Sequence, residues 1–261
     1  MLRLMRTRGT WSLCPPKPLV SVIIPTHNRS KLLVDRALDS ALKQTHENLE
    51  IIVAAHGCTD DTFWRVREID DRRIKLIEAP RRETYPPTAE NHWLAGPVAP
   101  LNAALKAVTG DWIARLDDDD IWTPDHVEKL LAFAREGNYE FVSSAHRTHE
   151  SKIEPYRMPH SIRRKIDGEQ WIIAEDILVG GVQTWLYRSY LKFMKYNPDC
   201  WRKTWNKVND TDLQDRMWRA GVRMGYLDLV TAYVYPRPGE VDVGSKAYLR
   251  DKTAAERKFA F

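Results

Sequence analysis

The pattern that most limits what this chain can become is an alternation of two hydrophobic periods running from residue 19 to about residue 145. Leu19–Ile24 is a β-branched apolar run ended by Pro25, the mark of a strand buried on both faces. Behind Ser30, a residue type that caps helices, Leu33, Ala37, Leu38, Ala41 and Leu42 recur at helical spacings. The exchange repeats with strands predicted at 50–55, 73–79 and 111–117, and helices at 60–69, at 100–108 and from Pro124. Such alternation specifies a parallel sheet covered by helices on both faces, because parallel neighbours are joined only by crossovers.

Past residue 145 the alternation weakens. Residues 146–168 are polar and basic; then come an apolar run at 171–179, a Gly180-Gly181 step, a short strand at 184–187 and a helix at 210–220. The reading is one domain over 19–240, with a nucleotide-type α/β half (19–125) and a mixed α+β half (126–240) that shares its core. A basic tail (1–18) and a C-terminal tail (241–261) flank it. Pro80, Pro86, Pro87, Pro97 and Pro100 mark 79–99 as a long loop of the functional kind. Of the ten tryptophans, five (Trp171, Trp185, Trp201, Trp205, Trp218) fall in the second half; most belong to the core and one or two line a cleft. His146, His149 and Glu150 read as surface residues.

Several function classes are excluded. No apolar run approaches the roughly 18 residues of a membrane helix, and the N-terminus lacks the apolar stretch of a signal peptide. Cys14, Cys58 and Cys200 are odd in number and far apart, which supports neither disulfides nor a zinc ribbon and fits the cytoplasm. The net charge of +4 is matched by Arg3, Arg6, Arg8 and Lys17 in the tail, so the body is neutral. That balance speaks against a nucleic-acid partner and limits any membrane contact to a peripheral one through the tail. Neither G-x-G-x-x-G nor G-x-x-x-x-G-K-[ST] occurs, so a bound nucleotide needs something other than a glycine loop for its phosphates.

The sharpest feature is Asp117-Asp118-Asp119-Asp120, at the end of a predicted buried strand, where open α/β sheets meet their ligands. Four adjacent carboxylates repel one another, and Mg²⁺ or Mn²⁺ relieves that repulsion and can hold a diphosphate. The competing role is a solvated acidic turn capping the next helix. An EF-hand is excluded, since Trp122 stands where the loop needs glycine.

Three ordered segments carry a family likeness. SVIIPTHNR (21–29) with ENLEIIV (47–53) and GCTDDT (57–62), the run Asn102 to Asp120 followed by Trp122 and Pro124, and NDTDLQDRMWRAG (209–221) together resemble family 2 glycosyltransferases. The resemblance implies a GT-A-like, mostly parallel mixed sheet flanked by helices, a nucleotide-sugar donor, a saccharide or other hydroxyl acceptor, a divalent cation and inversion at the anomeric carbon. By that match Asp119 ligates the metal, Asp117 faces the ribose and the metal's water shell, and Asp120 assists. Pro25, Thr26 and Asn28, with Asp118 and Asn102, lie along the nucleotide. Asp210 aligns with the catalytic base, with Asp212 its nearest rival; helix N-cap is the competing role for Asp210.

The chain also departs from the family. Ala55-His56-Gly57-Cys58 replaces the usual Asp-Asp-Gly-Ser, which removes the carboxylate that reads uracil and leaves His56 to touch the base. Leu101 replaces a basic residue, for which Arg81, Arg82, His92 or Arg237 can substitute, and Asn209 replaces a glutamate. Two other classes stay open: a sugar-phosphate nucleotidyltransferase, whose glycine-rich basic loop is missing from THNRSK (26–31), and a non-catalytic carbohydrate-binding protein with a decayed site.

Overall fold

The structure, a computed structural model, describes residues 15–79, 85–86, 88–148, 152–153, 155–157, 163–166, 170–173, 177–202 and 208–236. Its first half alternates as the sequence predicts: β1 (Val20–Thr26), β2 (Leu49–His56), β3 (Ile74–Ala79) and β4 (Trp112–Arg115) are all parallel. The strand order β3-β2-β1-β4 then continues through β12 (Leu186–Arg188), β6 (Phe141–Arg147), β13 (Met224–Val234) and β5 (Asp120–Trp122), with β7 (Lys152–Ile153) paired to β6. β12 and β5 run antiparallel to their neighbours, which makes the sheet mixed.

Every residue of β1 is buried, and the pleat divides them: Val20, Val22 and Ile24 pack on one face, Ile23 on the other. The first face is covered by α1, built from helical turns at Ser30–Leu32 and Asp39–Leu42 around a π-helical stretch at Leu33–Leu38, and by Val127, Leu130, Leu131 and Ala134 of the helix His126–Glu136. The opposite face is covered by the helix Val98–Ala107.

At the amino ends of the strands one carboxylate ties four segments together. Glu50 of β2 accepts from Ser21 Oγ of β1, Lys75 Nζ of β3 (2.5 Å), the Thr109 backbone N–H (2.7 Å) and hydroxyl (2.8 Å), and the Gly110 N–H (3.1 Å). A Cβ on Gly110 would stand 2.6 Å from the Leu19 carbonyl, so only glycine admits this approach.

Several expectations are corrected. β1 runs on through Pro25 to Thr26, because its pairing with β4 ends at Ile23–Arg115 and the missing proline N–H breaks no rung there. Ser30 is not an N-cap: it is the first residue of α1, its N–H donates to Asp60 and its hydroxyl to Asp61. The predicted loop at 79–99 contains the helix Ala89–Ala95, started by Thr88, whose hydroxyl oxygen accepts from the Asn91 N–H (3.2 Å). His146 is buried in β6 rather than on the surface. His149, Glu150, Trp205, Arg81, Arg82 and Arg237 lie outside the described residues. Trp185 is core, as expected of most tryptophans, donating from Nε1 to the Gly180 carbonyl.

Candidate functional site

Between β1 and β4 the chain's order reverses, and the crevice beyond their carboxyl ends is where an open α/β sheet takes its ligand. Two loops meet there: the turn after β1 and the acidic run after β4. Asn28 adopts a left-handed conformation (φ 51°), which asparagine tolerates better than most residues. Its Oδ1 accepts from the Thr59 N–H (2.7 Å) and the Asp60 N–H (3.2 Å), so it stitches the β1 turn to the turn after β2. His56, buried at the end of β2, receives a hydrogen bond on its carbonyl from His27 Nδ1.

The four aspartates are not equivalent. Asp118 and Asp120 are buried, while the Asp117 and Asp119 side chains keep 32% and 20% of their exposure. Asp118 accepts from Thr26 Oγ1 (2.7 Å) and Arg29 Nη1 (2.9 Å); burial pushes its carboxyl up to about 6 against the pull of Arg29. Asp120 opens β5 opposite Val234, and burial, then the charges of Asp119, Asp117 and Asp118, raise it well above the carboxylate range. It therefore stands inward, apart from the open face offered by Asp117 and Asp119. Arg36 of α1 fixes that face by donating to the Asp119 carbonyl (3.0 Å).

Among the described residues no three His, Cys, Asp or Glu side chains converge as a ready-made metal cage. The donor chemistry nonetheless fits Mg²⁺ or Mn²⁺, hard cations that take one or two carboxylates and complete their coordination with water and phosphate. Asp117 and Asp119 are the part-exposed carboxylates of that kind, and Arg29 Nη1 also donates to Asp119 Oδ2 (3.3 Å).

A group the sequence reading passed over joins this acidic end to the second half. Arg115, 3% exposed, donates from Nε to Asp117 (3.1 Å) and from Nη1 to Asn209 Oδ1 (3.0 Å), and lies 5.4 Å over the Tyr196 ring. The available signal was a lone cation inside an apolar strand, which is buried only when paired. Asn209 begins the helix Asn209–Arg219, where Asp210 is the second residue and not the N-cap, which is Val208. Asp210 Oδ1 accepts from the Thr211 N–H (2.5 Å) and hydroxyl (3.3 Å). Burial raises its carboxyl, and Arg115 opposes that rise. Asp212 is engaged one turn on, accepting from Arg216 Nε (2.8 Å). Asn102 departs from the expected nucleotide contact, since both ends of its amide hold the Tyr196 backbone, at 2.9 Å each.

A larger groove of 760 Å³, bordered by Glu47, Asp71, Arg73 and Lys75, lies at the amino ends of β2 and β3, the wrong end of the sheet for ligand chemistry.

Residues 21–200 match the family model described as Glycosyl transferase family 2. An Escherichia coli relative, UDP-Glc:alpha-D-GlcNAc-diphosphoundecaprenol beta-1,3-glucosyltransferase WfgD, is 33% identical over 124 residues, 48% of this chain and 44% of its own. A second from Escherichia coli with the same activity name, WfaP, is 35% identical over 44% of this chain and 41% of its own. The matches thus span less than half the length of these relatives. Among solved structures, S. aureus TarS 1-349 in complex with UDP-GlcNAc aligns with TM-score 0.59 and 20% identity over 85% of this chain and 59% of that one. A mannosyltransferase from Pyrobaculum calidifontis in complex with GDP-Man and Mn²⁺ aligns with TM-score 0.60 and 17% identity over 86% and 59%. The fold they share with this chain is GT-A.

Proposed function

The chain belongs to glycosyltransferase family 2, and from that premise we propose that it is a glycosyltransferase that moves a sugar from a nucleoside-diphosphate donor to an acceptor hydroxyl in one inverting displacement. The observation that carries this reading is Arg115, which links the open carboxylate Asp117 at the end of β4 to Asn209 beside Asp210. Donor phosphates and acceptor base then work within one crevice.

In the proposed step the acceptor oxygen attacks the anomeric carbon. Its proton passes to Asp210, whose Oδ1 is engaged by Thr211 and whose Oδ2 is left to receive it. The bond from that carbon to the phosphate oxygen breaks, and its electron pair leaves with the nucleoside diphosphate. A divalent cation held by Asp117 and Asp119 would neutralise charge on the leaving diphosphate. Asp212, paired with Arg216, is the poorer base. Since β2 ends in Ala55-His56, with no carboxylate for a uracil N–H, strict uridine preference is not expected. No helix among the described residues is long and apolar enough to cross a membrane, and the acceptor we infer is a saccharide or other hydroxyl compound met at the crevice.

The test is a thermal-shift series with UDP, GDP, CDP and dTDP, with and without Mn²⁺, followed by donor hydrolysis. A ligand that binds only the native state raises the midpoint with its concentration. No nucleotide response and no hydrolysis would sink the proposal.

A further inference from the structure

Asn102, expected along the nucleotide, instead engages one residue of the second half with both ends of its amide. From the helix Val98–Ala107 its Oδ1 accepts from the Tyr196 N–H and its Nδ2 donates to the Tyr196 carbonyl, at 2.9 Å each. Both backbone groups of Tyr196 are thereby satisfied by a single side chain, which fixes the orientation of that residue.

The backbone next to Tyr196 is costly to hold. Lys195 has a positive φ of 41° with ψ 158°, a conformation that a residue with a side chain keeps only where its neighbours enforce it. Enforcement comes from two sides. Asn102 grips Tyr196, while Arg216 of the helix Asn209–Arg219 donates to the Met194 (2.6 Å) and Lys195 (2.7 Å) carbonyls. The turn at 194–196 is thus pinned between the helix that leads into β4 and the helix that carries Asp210.

What the pinned turn delivers is the Tyr196 ring. It is 1% exposed, and the Arg115 guanidinium carbon lies 5.4 Å from its centre. Arg115 reaches Asp117 with Nε (3.1 Å) and Nη2 (3.5 Å) and Asn209 with Nη1 (3.0 Å), so its N–H groups serve partners on two elements. The flat face of the guanidinium calls for a partner of another kind. A ring face attracts a cation within about 6 Å, and more strongly where water is excluded. We propose that Asn102 and Tyr196 are positioning residues for the transfer step: the Asn102 amide sets the Tyr196 backbone, and the Tyr196 ring holds Arg115 in its bridge between Asp117 and the start of the helix bearing Asp210. The role in turnover rests on the transferase reading; the hold on Arg115 does not.

Nitrogen-15 NMR of the arginine-labelled full chain, recorded without Mn²⁺, tests the hold. The Arg115 Nε–H signal, identified by its absence in R115K, is expected to be protected from solvent exchange and shifted by the ring in wild type. N102A and Y196L should lose the ring shift and exchange about tenfold faster, while Y196F, which keeps the ring, should stay close to wild type. Hydrolysis of UDP-glucose and GDP-mannose with Mn²⁺, normalised to the folded fraction from circular dichroism, tests the role. In N102A and Y196L kcat should fall by about 10²-fold, the cost of displacing a reacting group by about 1 Å, with donor KM little changed and most of the rate kept in Y196F. Should Y196L fail to fold, N102A decides. An Arg115 signal unmoved in N102A overturns the inference, and so does a moved signal with kcat at the wild-type level. If wild type hydrolyses neither donor and binds no nucleotide while N102A still frees the Arg115 signal, the transferase reading falls and the hold on Arg115 stands; hydrolysis by wild type with an unmoved signal removes this inference alone.

Discussion

Substituting Glu50 by glutamine tests the account of what holds the sheet together. Burial by itself would raise this carboxyl, but hydrogen bonds from Lys75, Ser21 and Thr109 outweigh it and hold the value at about 2, against an ordinary 4.5. At about 1.4 kcal/mol per unit the difference corresponds to about 3 kcal/mol of folding free energy. Glutamine keeps the shape, loses the charge, and turns an NH₂ group toward donors where an oxygen had accepted. The folded value lies below the unfolded one, so this stability is fully present above about 4.5 and is lost as pH falls toward 2. Urea unfolding at pH 7 should therefore show E50Q about 3 kcal/mol less stable with an unchanged slope, a large part of a typical 5–15 kcal/mol. The gap should shrink as both proteins are taken below pH 4. Nucleotide binding by the folded variant should match wild type, since Glu50 lies at the amino ends of the strands. A loss under about 0.5 kcal/mol, the size expected of an ordinary surface change, or a gap indifferent to pH, would refute the reasoning.

Three further outcomes are expected. Asp119→Ala should abolish Mn²⁺-dependent nucleotide binding while thermal unfolding stays cooperative and close to wild type; a retained Mn²⁺ effect removes Asp119 from the site. Asp210→Asn should lower kcat by about 10²–10⁴ with little change in donor KM, whereas Asp212→Asn should act mainly on stability through its Arg216 pair; steady-state kinetics of both variants decide between them. Arg115→Met, which strands Asp117 beside Asp210, should cost about 3–5 kcal/mol in denaturant unfolding, and Arg115→Lys less, because lysine restores the charge without the guanidinium fork.

Much of the first half was legible because its evidence is local. A strand buried on both faces must be a short β-branched run, and Leu19–Ile24, Glu50–Ala55 and Asp111–Asp117 display it; a covering helix must show apolar spacing of three and four, as Leu33 to Leu42 do. The acidic run stood out because four charges cannot follow a buried strand without a reason. The helix at Ala89–Ala95 stayed hidden because it is short and flanked by Pro86, Pro87 and Pro97, so no period could build up.

The alternation of β1–β4 with the helices that cover them, the parallel pairing of those four strands and the position of the carboxylates at a strand end follow from sequence alone, because hydrophobic period and chain connectivity are written residue by residue. Tertiary structure decided which carboxylates face outward: Asp117 and Asp119 stay part-exposed, while Asp118 turns in to Thr26 and Arg29 and Asp120 enters β5. It likewise decided that Arg115 reaches Asn209 and that Asn102 reaches Tyr196, each 94 residues away. Neighbouring letters carry no record of such pairings, since each is set by which segments the sheet brings side by side and by the requirement that a buried charge or amide find a partner there.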